Sequence, residues 1–213
     1  MEMLYPIFVK LAGRLCLVVG GGQVAERKVG SLLECGARVI VVSPEVTPAI
    51  KEWADQGKLE LRRRAYHTSD LAGVFLVFAA TNRSEINRQV TEDCLARNLA
   101  VNVADDPDAC NFYVPSVIRR GKLAIAVSTG GASPALAARI RRLLERQFGP
   151  EYQEFMEILA DVRSQVLQDV TDIEQRRKIF SHLVESDIIE LLRNKEYDQV
   201  KERIKNAYCG YRR

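Results

Sequence analysis

Apolar residues in the first 130 positions gather into short runs separated by amphipathic stretches. Leu15–Val19, Arg38–Val42, residues 59–62, 74–79 and 99–103, and Leu123–Val127 are strand-sized and rich in Val, Ile and Leu. Several show no polar alternation, which predicts strands buried on both faces of a parallel sheet. Between them the apolar spacing turns helical over residues 23–35, closed by Gly36, and over residues 84–97, preceded by a candidate cap at Thr81 or Asn82. This alternation predicts a doubly wound α/β sheet. After Pro134 the strand pattern stops. Leu136, Ile140, Leu143, Leu144 and Phe148 recur at helical spacing, and Tyr152, Phe155, Met156, Leu159, Val162, Val166 and Val170 continue it past Gly149-Pro150. Further helices are predicted near residues 175–183 and 198–208, and the final Gly210-Tyr211-Arg212-Arg213 is expected to fray.

Composition narrows the class. Of 213 residues 47% are hydrophobic and 28% charged, enough for a packed core under an ordinary charged surface. The net charge of +3 is too small to imply nucleic acid. Its distribution is uneven, however. Between Pro115 and Pro150, Arg119, Arg120, Lys122, Arg139, Arg141, Arg142 and Arg146 face a single acid, Glu145. The five cysteines form no C-x-x-C pair and are odd in number, so neither a zinc site nor a disulfide framework is indicated. No basic leader or membrane-length apolar run is present, and a reducing cytoplasm is the expected location. His67 and His182, the two histidines, fall in different regions, so a histidine-rich metal site is not expected. Arg62-Arg63-Arg64 has the composition of a solvated strand end.

The sharpest motif follows the first strand. Gly20-Gly21-Gly22-Gln23-Val24-Ala25 is a G-x-G-x-x-A turn opening a helix, the arrangement that cradles a dinucleotide pyrophosphate. Gly20 permits the tight turn, Gly22 lets the backbone approach the anion, and Ala25 lets helix and strand pack closely. The amides around Gly22, Gln23 and Val24 would face the phosphates. The second strand ends at Ser43-Pro44-Glu45, with no carboxylate on the tip itself and no arginine directly after it. Ser43 can still bond ribose, so NAD is expected over NADP. Thr81 and Asn82, at the carboxyl end of the fourth strand, either meet the cofactor or cap the next helix. In Thr129-Gly130-Gly131-Ala132-Ser133-Pro134, backbone amides can hold a carboxylate, or Ser133 simply caps a helix.

Taken together, Tyr5-Pro6-Ile7-Phe8, Leu11-Ala12-Gly13-Arg14, the glycine turn, Val24-Ala25-Glu26-Arg27-Lys28, Ala79-Ala80-Thr81-Asn82, Asn102-Val103-Ala104-Asp105 and Ala126-Val127-Ser128-Thr129-Gly130-Gly131-Ala132-Ser133-Pro134 resemble precorrin-2 dehydrogenase, the oxidase–chelatase portion of siroheme synthases. The resemblance spans about residues 5–148 and no methyltransferase module follows, as in stand-alone forms. It implies a Rossmann domain over residues 1–114, a dimerisation and substrate segment over 115–150, and a helical domain over 151–213. It further implies a homodimer that oxidises precorrin-2 to sirohydrochlorin with NAD⁺, some members also inserting Fe²⁺. It assigns the principal catalytic role to Asp105.

The residues themselves are compatible with this chemistry. A carboxylate at the carboxyl edge of the sheet can accept a proton as hydride leaves for nicotinamide. An acidic turn closing on Pro107 is the plainer alternative. A polycarboxylate substrate suits the basic segment, with Arg119, Arg120, Ser128, Gly130, Gly131 and Ser133 as candidate contacts. Tyr197 and Lys201 show the Y-x-x-x-K spacing of short-chain dehydrogenases, but on a terminal helix beyond the last strand, and that reading is rejected. The remaining rival is an NAD-sensing regulatory module, which needs the glycine turn but neither Asp105 nor the basic segment.

Overall fold

The computed structural model describes residues 3–209, so residues 1–2 and the terminal 210–213, expected to fray, lie outside the described residues. The chain divides into two compact units, Met1–Val114 and Pro115–Arg213.

In the first unit, β1 (Leu15–Val19), α1 (Gln23–Glu34), β2 (Arg38–Val42), α2 (Pro48–Asp55), β3 (Glu60–Arg62), β4 (Leu76–Ala79), α3 (Ser84–Leu95) and β5 (Ala100–Val103) follow in order. The strands form one all-parallel sheet ordered β3-β2-β1-β4-β5. Their continuous apolar runs are explained by the two cores they serve. Leu17 and Val19 enter one core with Val77, Ala79, Val101 and Val103. Cys16 and Val18 enter the other, with Val39, Val41 and α1 residues Ala25 and Val29. Since side chains alternate across a strand, a sheet covered on both faces needs apolar residues at every position. Burial pushes the thiols of Cys16 and Cys94 up to about 11, as expected of inert core cysteines.

Two details differ from the expected pattern. β3, β4 and β5 begin one or two residues after the apolar runs, because Leu59 and Val74 are core side chains contributed by the approach turns. Helix α2 was not expected. Its start is nevertheless written in Thr47-Pro48: the Thr47 hydroxyl accepts the Ile50 amide, and Pro48 occupies the first turn.

In the second unit β6 (Ser116–Arg120) and β7 (Leu123–Val127) pair antiparallel. They turn at Gly121, whose φ of 57° is left-handed. Strand β6 escaped the sequence pattern because only Ile118 of its five residues is buried. Helix α4 (Pro134–Gln147) packs on both strands. The apolar stripe that begins after Pro134 thus covers this hairpin. Past the break at Phe148–Pro150, α5 (Glu151–Asp169), α6 (Ile173–Glu185), α7 (Ile188–Arg193) and α8 (Tyr197–Cys209) close a separate core around Val166, Ile179, Leu183 and Ile188. Helix α7, too short for a periodic signal, was also unexpected.

That helical core is expected to tolerate truncation poorly. Leu183 is 1% exposed, so Leu183→Ala should lower stability in urea titration by about 2–5 kcal/mol. A loss below about 1 kcal/mol would mean the site collapses around the missing methyls.

Candidate dinucleotide and catalytic site

Parallel strands end on the same edge, and the edge between β1 and β4 is where the order of this sheet reverses direction. An open cleft occupies it. The glycine turn contributes Gly20, Gly22, Gln23 and Val24; the tip of β2 contributes Ser43, Pro44 and Glu45; Thr81 and Asn82 follow β4; and Asp105 follows β5. Every residue expected to meet the cofactor, together with the expected catalytic acid, therefore borders one cavity. Arg64, Tyr66 and Arg83 border it too and had not been expected to.

The turn is built for close approach. Gly20 has φ 121°, and a Cβ there would lie 2.3 Å from the Ala80 carbonyl oxygen. A Cβ on Gly21 would lie 2.0 Å from the Glu45 carbonyl oxygen. At Gly22 the surroundings are the opposite, since a Cβ would meet nothing within 4 Å. Gly22 is the N-cap of α1 and makes no side-chain cap bond, so the first-turn amides point toward unfilled space. Free amides, helix dipole and a bare Cα together fit a pyrophosphate.

Several side chains behave differently from expectation. The Ser43 hydroxyl donates to the Glu45 carbonyl at 2.6 Å, so it holds its own loop instead of standing ready for ribose. Neither Thr81 nor Asn82 is the cap of α3. That position is Arg83, while the Thr81 hydroxyl accepts the Arg83 amide and donates to Asn87 Oδ1 at 2.7 Å. In Arg62-Arg63-Arg64, Arg63 and Arg64 are exposed as the strand-end reading expects, but the run has a further task. Arg62 and Arg64 both clamp Asp70, whose side chain is fully buried. Burial would raise that carboxyl, but Arg64, the His67 amide and Arg62 hold it far below the usual carboxylate range. His67 itself caps the short 3₁₀ turn carrying Asp70.

Asp105 stands out for its backbone. Its φ of 62° is left-handed, a conformation uncommon outside glycine. The side chain is exposed, and its carboxylate has no hydrogen bond or ion pair to another described residue. Neighbouring Asp106 instead caps the 3₁₀ turn Pro107–Ala109 by accepting the Ala109 amide. The loop is fastened from behind. Asn111 accepts the Val101 amide at 2.7 Å and donates to the Leu99 carbonyl. The Cys110 sulfur accepts the Val103 amide at 3.1 Å, and Asn102 donates to the Phe112 carbonyl. Only Asn102 of these supports had been singled out in the sequence, because contacts across ten residues of irregular loop leave no periodic trace.

In the second unit, Arg119 lies on β6. Arg120 donates to the carbonyls of Phe148 and Glu145, fastening the hairpin to the end of α4. Ser128 accepts the Gly130 amide, Gly130 and Gly131 have positive φ, and Ser133 caps α4 by accepting the Leu136 amide. Among the described residues no three His, Cys, Asp or Glu side chains gather as a metal site, and no helix is long and apolar enough to cross a membrane.

Gly22→Val is expected to fold normally, because its side chain has room, and to weaken dinucleotide binding at least about tenfold by occupying the pyrophosphate approach. Unchanged melting temperature with unchanged binding in calorimetric titration would show that the cradle lies elsewhere.

Comparisons with known proteins agree with this geometry. Three family profiles match in series: an NAD(P)-binding family over residues 7–116, the sirohaem biosynthesis protein central region over 120–147, and the sirohaem synthase dimerisation region over 151–207. Siroheme synthases of Nitrosococcus oceani and Thioalkalivibrio sulfidiphilus are 40% and 37% identical over 87% and 95% of this chain. The chain spans about two fifths of the length of these relatives, 40% and 42% respectively. A solved structure titled SirC, precorrin-2 dehydrogenase, superposes with a TM-score of 0.79 at 28% identity, covering 93% of this chain and all of that one. With the glycine cradle in place and the NAD(P)-binding profile covering more than half its length, the chain belongs to the NAD(P)-binding family that carries the sirohaem synthase central and dimerisation regions.

Proposed function

We propose that this protein oxidises precorrin-2 to sirohydrochlorin at the expense of NAD⁺, working as a homodimer in the cytoplasm. The observation that carries the reading is the placement of Asp105, an unpartnered carboxylate on a left-handed backbone, on the same cleft as the open glycine cradle. NAD⁺ bound there supplies the acceptor for a hydride. Amides of the glycine turn hold its pyrophosphate, with Ser43, Pro44, Glu45, Thr81 and Asn82 along the walls. Asp105 takes the proton that departs when a ring carbon gives up hydride, so the substrate loses two hydrogens and gains a double bond. Asp106, tied into its cap, stays out of the chemistry. The names of the relatives, siroheme synthase and precorrin-2 dehydrogenase, support the same substrate.

For the substrate's carboxylates we assign Arg119, Arg120, Ser128, Gly130, Gly131 and Ser133, within a segment 115–150 distinct from the helices of 151–213. The support is local charge, seven basic residues against one acid between Pro115 and Pro150. Arg120, Ser128 and Ser133 already serve the fold, so any carboxylate contact from them adds to that work. Insertion of Fe²⁺ into sirohydrochlorin is proposed only as a second activity, checked by enzyme-dependent siroheme formation above the blank. Nothing in the relatives favours a purely regulatory sensor.

Asp105→Asn is expected to fold and bind NAD⁺ as the parent does while precorrin-2 turnover falls by roughly 10²–10⁴. Asp106→Asn should cost far less. Near-normal turnover in Asp105→Asn would remove the residue from the mechanism, and loss of NAD⁺ binding would reassign it to cofactor support.

For the assembly, the matched dimerisation region and the exposed Leu136, Leu143 and Val184 support pairing of two chains. Sedimentation should give twice the 24.0 kDa chain mass. A concentration-independent monomer would contradict it.

A further inference from the structure

In many dinucleotide folds the tip of the second strand selects between cofactors. An acid there bonds the ribose hydroxyls, and a nearby arginine welcomes the 2′-phosphate of NADP. Here the tip residue, Ser43, is committed to the Glu45 carbonyl and cannot discriminate by itself. The neighbouring strand supplies what is missing. The Ser43 amide donates to the Arg62 carbonyl at 3.1 Å, which sets the end of β3 directly beside the tip. Two residues on, Arg64 borders the cleft together with Ser43, Pro44 and Glu45. An arginine so placed would ordinarily invite a phosphate. Its guanidinium is taken instead: Nη1 and Nη2 grip the two oxygens of Asp70 at 2.8 and 2.5 Å, and Nη1 also donates to the Ala65 carbonyl. The Asp70 side chain is wholly buried and is held from the other side by Arg62 at 2.7 Å and the His67 amide at 3.0 Å, whereas the Arg64 side chain is 45% exposed. Asp70 is thus the fixed partner and Arg64 the one that could swing. The only other cation bordering the cleft among the described residues is Arg83, which follows β4, on the other side of β1 from β2 and β3.

We propose that Asp70 is a specificity determinant for the cofactor: by holding Arg64 against the cleft wall it withholds the cation that a 2′-phosphate would need, and so favours NAD⁺. This rests on the NAD⁺ reading above and gives it a residue-level cause. With Glu60 paired to Arg62 at 2.7 Å, the cluster of Arg62, Arg64 and Asp70 presents nearly zero net charge to a ligand, while a released guanidinium presents a full one.

The test is calorimetric titration of the full chain with NAD⁺ and with NADP⁺, without tetrapyrrole. The parent should bind NADP⁺ more weakly. Asp70→Asn should tighten NADP⁺ about tenfold or more, the effect of one charge-assisted hydrogen bond, with NAD⁺ changed little. Adding Arg64→Gln to that variant should abolish the gain. Arg64→Gln alone should leave both affinities nearly unchanged. A folded Asp70→Asn with no gain for NADP⁺ overturns the proposal. If Asp70→Asn fails to fold, Arg64→Gln still decides: a loss of NADP⁺ affinity of about tenfold would show that Arg64 already reaches the 2′-phosphate, and the proposal falls. A parent that binds both cofactors equally would instead refute the NAD⁺ preference on which it stands.

Discussion

The structure depends on how closely three backbones converge at the end of β1. Gly20 sits against Ala80 and Gly21 against Glu45 at distances no side chain could share. The turn is bonded on the same side, Gly20 donating to the Val42 carbonyl and Thr47 to the Gly21 carbonyl. These contacts bring the segments after β2 and β4 up to the mouth of α1, leaving Gly22 as the one glycine of the turn whose Cα faces open space. The cleft is what remains when those backbones meet. Its contents follow from parallel pairing, because each strand added to the sheet delivers its next loop to the same edge.

A second constraint acts at the far wall. A left-handed aspartate is an unfavourable conformation that persists only if its surroundings hold it. Asn111, Cys110 and Asn102 do so by bonding the segment after the 3₁₀ turn back onto β5, through both amides and carbonyls of residues 99–103. The Cys110 thiol is pushed up, chiefly by burial, which keeps it a neutral hydrogen-bonding group. The loop therefore displays Asp105 while its Cys110–Phe112 end is tied to β5. Asp106, one residue on, is consumed by the turn. Two adjacent aspartates thus receive different work from backbone geometry alone.

Much of this is legible in the amino-acid sequence, and the limits are physical. Strands buried on both faces announce themselves as uninterrupted Val and Ile, and a glycine turn between strand and helix has a fixed spacing, so β1, α1, β2, β4 and β5 and the cradle could be read directly. Elements half exposed or too short for a period could not, which is why β6, α2 and α7 went unseen. Among cleft residues, backbone-defined positions were accessible and side-chain commitments were not. Ser43 points into its own loop, Thr81 into Asn87, and Arg64 onto Asp70. The last pairing joins a charge run to a buried acid six positions away, through a turn whose geometry is set by tertiary contacts.

Anaerobic mixing of the wild-type chain with NAD⁺ and precorrin-2 tests the central claim most directly. One NADH should appear for each sirohydrochlorin formed, with no reaction when either partner is omitted. A protein that binds NAD⁺ yet yields no NADH from precorrin-2 would contradict the account, leaving a cleft that holds a dinucleotide without performing this oxidation.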